Sequence, residues 1–422
     1  MNLVVIGGGA AGFFGAITAA EANPHCRVTL LERNATPLGK VRISGGGRCN
    51  VTHACFEPSE LIQHYPRGGR ALLGPLTRFQ PRDVIAWFES RGVPLKTERD
   101  GRVFPMSDRA ESIVNCLLES AQRAGVAVQT SANVLEVLPE GNAYTVVLKD
   151  RSRLPADRLL LATGSSTTGW RIAQALGHTI VPPVPSLFTF EIRTERGEPD
   201  PRLDGLAGIA VAHVGLTLLA PDGLPCQRQQ GALLITHWGL SGPVVLRLSA
   251  FAARELHDWG YRAWLLVDWL PQLTESDLQA LFVECKHKQG GRLVCAHSPL
   301  RALPHRLWSS LCAEAQVYPD QRWAKLPRGN MQRLTEALKR GRYLITGKSP
   351  FKEEFVTCGG VCLDEVNFRT MESRIAPGVY FAGEVLDVDG VTGGFNFQAA
   401  WTTGWVAGQA IAASSAHTCS TT

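Results

Sequence analysis

Two glycine-rich segments and one cysteine carry the chemistry that can be read from this sequence. Residues 7–12 are Gly-Gly-Gly-Ala-Ala-Gly, a G-x-G-x-x-G pattern. Gly7 permits a tight turn, Gly9 lets backbone approach a pyrophosphate, and Gly12 lets a helix pack closely on a strand. A helix N-terminus placed there offers unpaired N–H groups to phosphates. Glu32 follows 20 positions after Gly12, where a carboxylate can accept hydrogen bonds from ribose hydroxyls. The pattern therefore predicts dinucleotide binding. Residues 44–50, Ser-Gly-Gly-Gly-Arg-Cys-Asn, put Cys49 next to backbone that can approach a planar ring closely.

The elements that must position these groups are legible on either side. Leu3–Ile6 reads as an apolar strand, residues 10–22 as a helix of small residues, and residues 27–31 as a second strand. This is a βαβ unit with its acid in register. Leu159-Leu160-Leu161 is another apolar strand, ending in Ala162-Thr163-Gly164. Near the C-terminus, Val379-Tyr380-Phe381 runs into Ala382-Gly383-Glu384, and Gly393-Gly394-Phe395-Asn396 opens a further helix. A glycine pair at a helix start can present amides to the flavin end of FAD while the N-terminal unit holds the ADP end. Three such segments in this order favour FAD over NAD as the tightly held cofactor. No second G-x-G-x-x-G marks a separate NAD(P)H domain.

These residues, with Gly39-Lys40, Pro185-Ser186-Leu187, Thr236–Pro243, Val356–Val361 and Pro377–Gln398, resemble the BaiN/RdsA-like family of bacterial NAD(P)/FAD-dependent oxidoreductases. The likeness runs nearly end to end, although Phe397 stands where that family usually has Leu. It implies an α/β fold: a discontinuous Rossmann-like FAD-binding domain with a β-barrel-like insert and a small helical one. Residues 1–187 and 347–422 are expected to form the first, 188–270 the barrel and 271–346 the helical insert. The cofactor contacts expected are Gly7, Gly9, Ala11, Gly12, Glu32, Arg33, Lys40, Gly46, Gly47, Arg48, Asn50, Val134, Ala162, Thr163, Gly164, Gly383, Glu384, Gly393, Gly394, Phe395, Asn396 and Gln398. Among these, Lys40 would reach the phosphates, and Arg48 and Asn50 the flavin carbonyls or an anionic substrate. NAD(P)H is the expected reductant.

Cys49 has two readings. As a lone thiol beside the flavin it could give a proton to carbon while hydride arrives from the flavin N5. As a buried packing residue it would be inert. A dithiol couple with Cys55 is disfavoured, because five residues lie between them, the wrong spacing for flavin disulfide reductases. Asp387 and Asp389 are read as caps for the helix that follows.

With 422 residues, 45% apolar and 19% charged, the chain can bury several cores and is neither disordered nor a coiled coil. Its 11 cysteines form no CxxC, so a zinc site is not expected. No signal-like start and no spanning apolar run occur, so a soluble, cytoplasmic protein without membrane contact is expected. The net charge of +5 is unevenly spread. Residues 281–350 hold 13 Lys/Arg against four acids, a net +9, which leaves about −4 for the remainder. That basic segment suggests an anionic partner, with RNA foremost, or else a solvated helical face.

Within the resembled family one branch is a ribosomal RNA dihydrouridine synthase and another reduces C=C bonds of steroid-like bile acids. The function expected is NAD(P)H-driven reduction of a C=C bond, in a uridine of ribosomal RNA. The alternatives are a small-molecule enone reductase, an amine oxidase, or a non-catalytic flavoprotein that binds nucleic acid.

Overall fold

The computed structural model describes residues 1–348 and 356–414; of the tail expected to fray over Ser414–Thr422, only Ser414 is among them, at the end of a helix. The chain divides into two compact units, one of residues 1–183 with 357–422 and one of residues 184–356.

In the first unit the strand Asn2–Ile6 lies between Arg27–Leu31 and Arg158–Leu161, parallel to both. Val379–Phe381 and Ala127–Gln129 extend the parallel sheet on either side, and two short antiparallel strands complete seven. The central strands are nearly continuous apolar runs because both faces of a parallel sheet are covered. The chain leaves Asn2–Ile6 towards one neighbour and later returns to the other. The C-terminal end of that strand is therefore a topological switch point, where such sheets bind ligands.

Helix Ala10–Ala22 is buried on nearly every side rather than amphipathic. One side faces the sheet and another the long helix Phe395–Ser414. The two helices touch through backbone. A Cβ on Gly404 would lie 2.7 Å from the Ala11 carbonyl, and one on Gly408 would lie 2.6 Å from the Gly15 carbonyl. Glycine at this crossing joins the two ends of the sequence in one body.

The second unit is built on a closed barrel. Its strands run in the order Phe190–Ile192, Gly239–Ser241, Pro225–Ile235, Ala210–Leu219, Ala263–Asp268 and Gly341–Lys348, with every pairing antiparallel. Burial alternates along Ala263–Asp268, as a barrel wall requires. Helices Glu275–Lys288, His305–Glu314 and Arg328–Arg340 precede the closing strand. The first begins with the expected cap: Thr274 accepts from the Asp277 amide at 3.1 Å, and Asp277 accepts from the Thr274 amide at 2.8 Å. Trp269, Trp308 and Trp323 sit in one core with barrel residues such as Leu216 and Leu265. Segments 188–270 and 271–346 thus share one hydrophobic interior.

Candidate functional site

The first glycine turn has the geometry its spacing demands. Gly7 has φ +115°, and a Cβ there would lie 2.4 Å from the Ala162 carbonyl. A Cβ on Gly12 would lie 1.9 Å from the Gly7 carbonyl. Gly9 differs from both, since nothing lies within 4 Å of where its Cβ would be. It caps helix Ala10–Ala22 with no side-chain hydrogen bond, and the first turn contains no acid. The helix start is thus left open and electropositive.

Glu32 is buried at the end of the second strand. Its carboxylate accepts the Gly8 amide at 2.9 Å and the Asn34 amide at 2.8 Å, which locks its oxygens beside the turn. Arg33 is exposed on the next position. The segment leading to Val134 runs alongside, with the Ala132 amide on the Glu32 carbonyl and the Ser131 amide on the Asn34 carbonyl. On the opposite flank lie Ala162, Thr163 and Gly164. Among the described residues the buried Thr163 hydroxyl oxygen has no hydrogen-bond partner, and it packs 1.8 Å from where a Cβ on Gly169 would stand. Lys40 and Glu384 form an ion pair, and Ser165 accepts from Lys40 at 3.3 Å. Lys40 therefore faces a carboxylate. Gly383 closes this group, its missing Cβ 2.9 Å from Ala11.

The second glycine run bends a helix. Gly39–Gly47 is helical until Ser44, after which Gly45, Gly46 and Gly47 take φ of 57°, 69° and 82°. Such a run of left-handed residues is open only to glycine. Gly46 and Gly47, like Gly9, have nothing within 4 Å of a Cβ. Asn50 then bridges to the C-terminal turn. Its amide nitrogen donates to the Thr52 carbonyl at 3.0 Å, and its oxygen accepts from the Gly394 amide at 3.0 Å. Gly394 itself could not carry a Cβ, which would lie 2.5 Å from the Thr52 carbonyl.

Several expected contacts turn inward. Gln398 is fully buried, with Thr52 donating to it at 2.5 Å and its amide donating to Thr402 at 2.9 Å. Asn396 clasps the Gly390 amide and carbonyl, each at 2.8 Å. Phe395 is buried in a stack with His53 and His64. Arg48 donates to Glu98 at 2.7 Å and lies over the Phe104 ring, so its charge is already partnered. Asp389, expected as a cap, is wholly buried and holds Arg67 by a two-point ion pair. Tyr65, two residues away, donates to the Phe395 carbonyl at 2.7 Å. Sequence reading missed Thr52, His64, Tyr65 and Arg67, because their partners lie hundreds of positions away.

Cys49 has no exposed surface. Burial pushes its thiol up to about 12, against the small opposing pull of a hydrogen bond with Ser44. Cys49 and Cys55 are both free thiols.

The open backbone at Gly9, Gly46 and Gly47 suits an extended dinucleotide with an anionic middle and a flat end. The family described as HI0933-like protein Rossmann domain matches residues 1–410. The chain belongs to it. It is an FAD-dependent oxidoreductase. The chain is 31% identical to the 3-dehydro-bile acid delta(4,6)-reductase of Clostridium scindens, covering 98% of this chain and 99% of that one. It is also 31% identical to the ribosomal RNA dihydrouridine synthase of Escherichia coli, covering 98% of each. In fold this flavoenzyme is similar to the 3-ketosteroid-delta4-(5alpha)-dehydrogenase of Rhodococcus jostii RHA1, with a TM-score of 0.51 at 15% identity over 97% of this chain and 96% of that one. Among the described residues no helix is long and apolar enough to cross a membrane, and no group of His, Cys, Asp and Glu could hold a metal ion.

Proposed function

We propose that this flavoenzyme reduces a carbon–carbon double bond with electrons from NAD(P)H, and that the bond belongs to a uridine of ribosomal RNA in the cytoplasm. Likeness to two relatives of equal identity, both named for reduction of such a bond, carries the first part. The exposed cations Arg292, Lys325 and Arg328 favour the polyanionic substrate over a steroid.

In this reading the Gly9 turn and the helix behind it receive the pyrophosphate, and Glu32 accepts from the ribose hydroxyls. Gly46 and Gly47 give the flavin ring its close backbone approach, and Asn50 holds the Gly394 turn against that end. FAD held there would supply the hydride chemistry for one carbon of the double bond. The other carbon needs a proton, and the Cys49 thiol has no surface from which to give it. We therefore assign Cys49 to packing. Cys49→Ala is expected to leave turnover within about tenfold, not the ~10²–10⁴-fold loss of a missing general acid. A loss of that larger size, with FAD retained, would restore Cys49 as the donor.

The function itself is tested by anaerobic titration. NADPH or NADH should bleach the flavin band, and a uridine-containing ribosomal RNA fragment should restore it. Restoration by a steroid enone but not by RNA selects the small-molecule reading. Bleaching by an amine alone selects an oxidase, and failure of both nicotinamides to bleach overturns the proposal.

A further inference from the structure

The basic residues of the helical region fall into two classes once their partners are known. Lys339 is nearly buried, donating to the Leu270 and Leu273 carbonyls at 2.9 and 2.6 Å and pairing with Asp268 at 2.7 Å. Arg340 pairs with Glu275 at 2.6 Å, and Arg333 donates to the Ala315 carbonyl at 3.3 Å. Lys339 is committed inside the unit, whereas Arg340 and Arg333 stay exposed beside their partners.

The second class lies between residues 284 and 328, where eight Lys/Arg face three acids, although Lys288 pairs with Glu284 at 2.7 Å and Lys286 donates to the Leu326 carbonyl at 2.7 Å. One of those acids, Glu314, pairs with Arg202 at 2.9 Å. Backbone pairing brings the two ends of this stretch together. The Trp323 amide bonds the Arg292 carbonyl at 3.0 Å, the Ala324 amide bonds Gly290 at 3.0 Å, and the Val294 amide bonds Gln321 at 2.9 Å. Beneath this pairing Trp323 and Val294 are wholly buried, and the Trp308 indole donates to the Val294 carbonyl at 2.9 Å. Above it Arg292, Arg322, Lys325 and Arg328 are exposed. The chain enters the pairing through a turn in which the Gln321 amide bonds the Tyr318 carbonyl at 3.0 Å. Tyr318 is 69% exposed, a large ring held in water on a rigid base.

We propose that this surface receives single-stranded RNA, with Tyr318 stacking on a base and Arg292, Arg322, Lys325 and Arg328 contacting phosphates. The proposal rests on the reading of RNA as substrate. Cations that track a backbone beside an exposed aromatic ring are what an unpaired strand recognises. A protein partner would not need four exposed cations against the one exposed acid, Asp320.

The test uses the full-length flavoprotein and a fluorescently labelled single-stranded RNA of about 16 nucleotides, a length within the range single-strand grooves accommodate. Arg322 is left intact because it donates to the Gly291 carbonyl at 2.7 Å. Arg292→Gln, Lys325→Gln and Arg328→Gln together should reduce the magnitude of the log–log salt slope by up to ~2. Tyr318→Ala should weaken binding roughly 5- to 150-fold. Unchanged flavin spectra and melting temperatures would establish that both variants fold. If the wild type binds and neither variant differs from it, the surface is wrong and RNA as substrate stands. If the wild type binds no RNA even at low salt, that reading falls and the surface with it. Equal affinity for a duplex of the same length would remove the stacking role of Tyr318.

Discussion

Gly9→Val is expected to give a folded but colourless protein, while Gly12→Val gives little folded protein at all. The contrast follows from what each missing side chain would meet. At Gly12 a Cβ would stand 1.9 Å from the Gly7 carbonyl, inside the turn itself. At Gly9 it would meet nothing within 4 Å, and φ of −93° is accessible to any residue. Valine there strains nothing in the protein alone, and it fills the space where a pyrophosphate must approach backbone. The wild type should carry a flavin absorbance band and release FAD into the supernatant on acid precipitation. The Gly9→Val protein should show the same far-ultraviolet circular dichroism with at least tenfold less flavin, an expected loss of ~1.4 kcal/mol or more in binding. A variant that stays yellow would move the phosphates away from this turn. Flavin that remains in the wild-type pellet, or that proves to be FMN, would overturn non-covalent FAD.

What was legible in the sequence was whatever is local. Gly7, Gly9, Gly12 and Glu32 lie within one βαβ unit, so spacing alone places them, and the Thr274 cap is settled within four residues. The C-terminal glycine turn was recognisable as a feature, but the groups that hold it were not. Asn50 reaches Gly394, Thr52 reaches Gln398 and Arg67 reaches Asp389, and no periodicity couples residues so far apart. Charge counting failed for a related reason. Lys339 adds to the same positive total as Arg292 and Lys325, although Asp268 and two carbonyls hold its charge inside the unit. Composition registers the sign of a group, whereas its partner decides whether that sign reaches solvent. The barrel shows the same limit, since its closing strand, Gly341–Lys348, follows three helices.

Asp389→Leu is expected to destabilise the first unit more than any other single change outside its glycines. Asp389 is wholly buried and the Arg67 side chain is only 16% exposed. Burial works against the guanidinium charge, and the carboxylate more than restores it, holding Arg67 above its ordinary range. With the carboxylate gone, the buried guanidinium loses its paired anion and keeps only the weaker pull of Asp387; breaking a buried pair typically costs about 3–5 kcal/mol. For a unit of this size that corresponds to a drop in melting temperature on the order of 10 °C. The effect should extend to the cofactor, because Arg67 and Tyr65 clamp the segment from Asp389 to Phe395 that carries Gly393 and Gly394. Flavin should therefore leave Asp389→Leu at lower denaturant than it leaves the wild type. The double variant Arg67→Met, Asp389→Leu separates charge from packing: removing both ions should recover most of the lost stability, since a buried pair replaced by apolar groups is often neutral. A single variant melting within ~2 °C of the wild type would show that Arg67 finds solvent or another anion, and that the glycine turn is held by Asn50 and the aromatic stack alone.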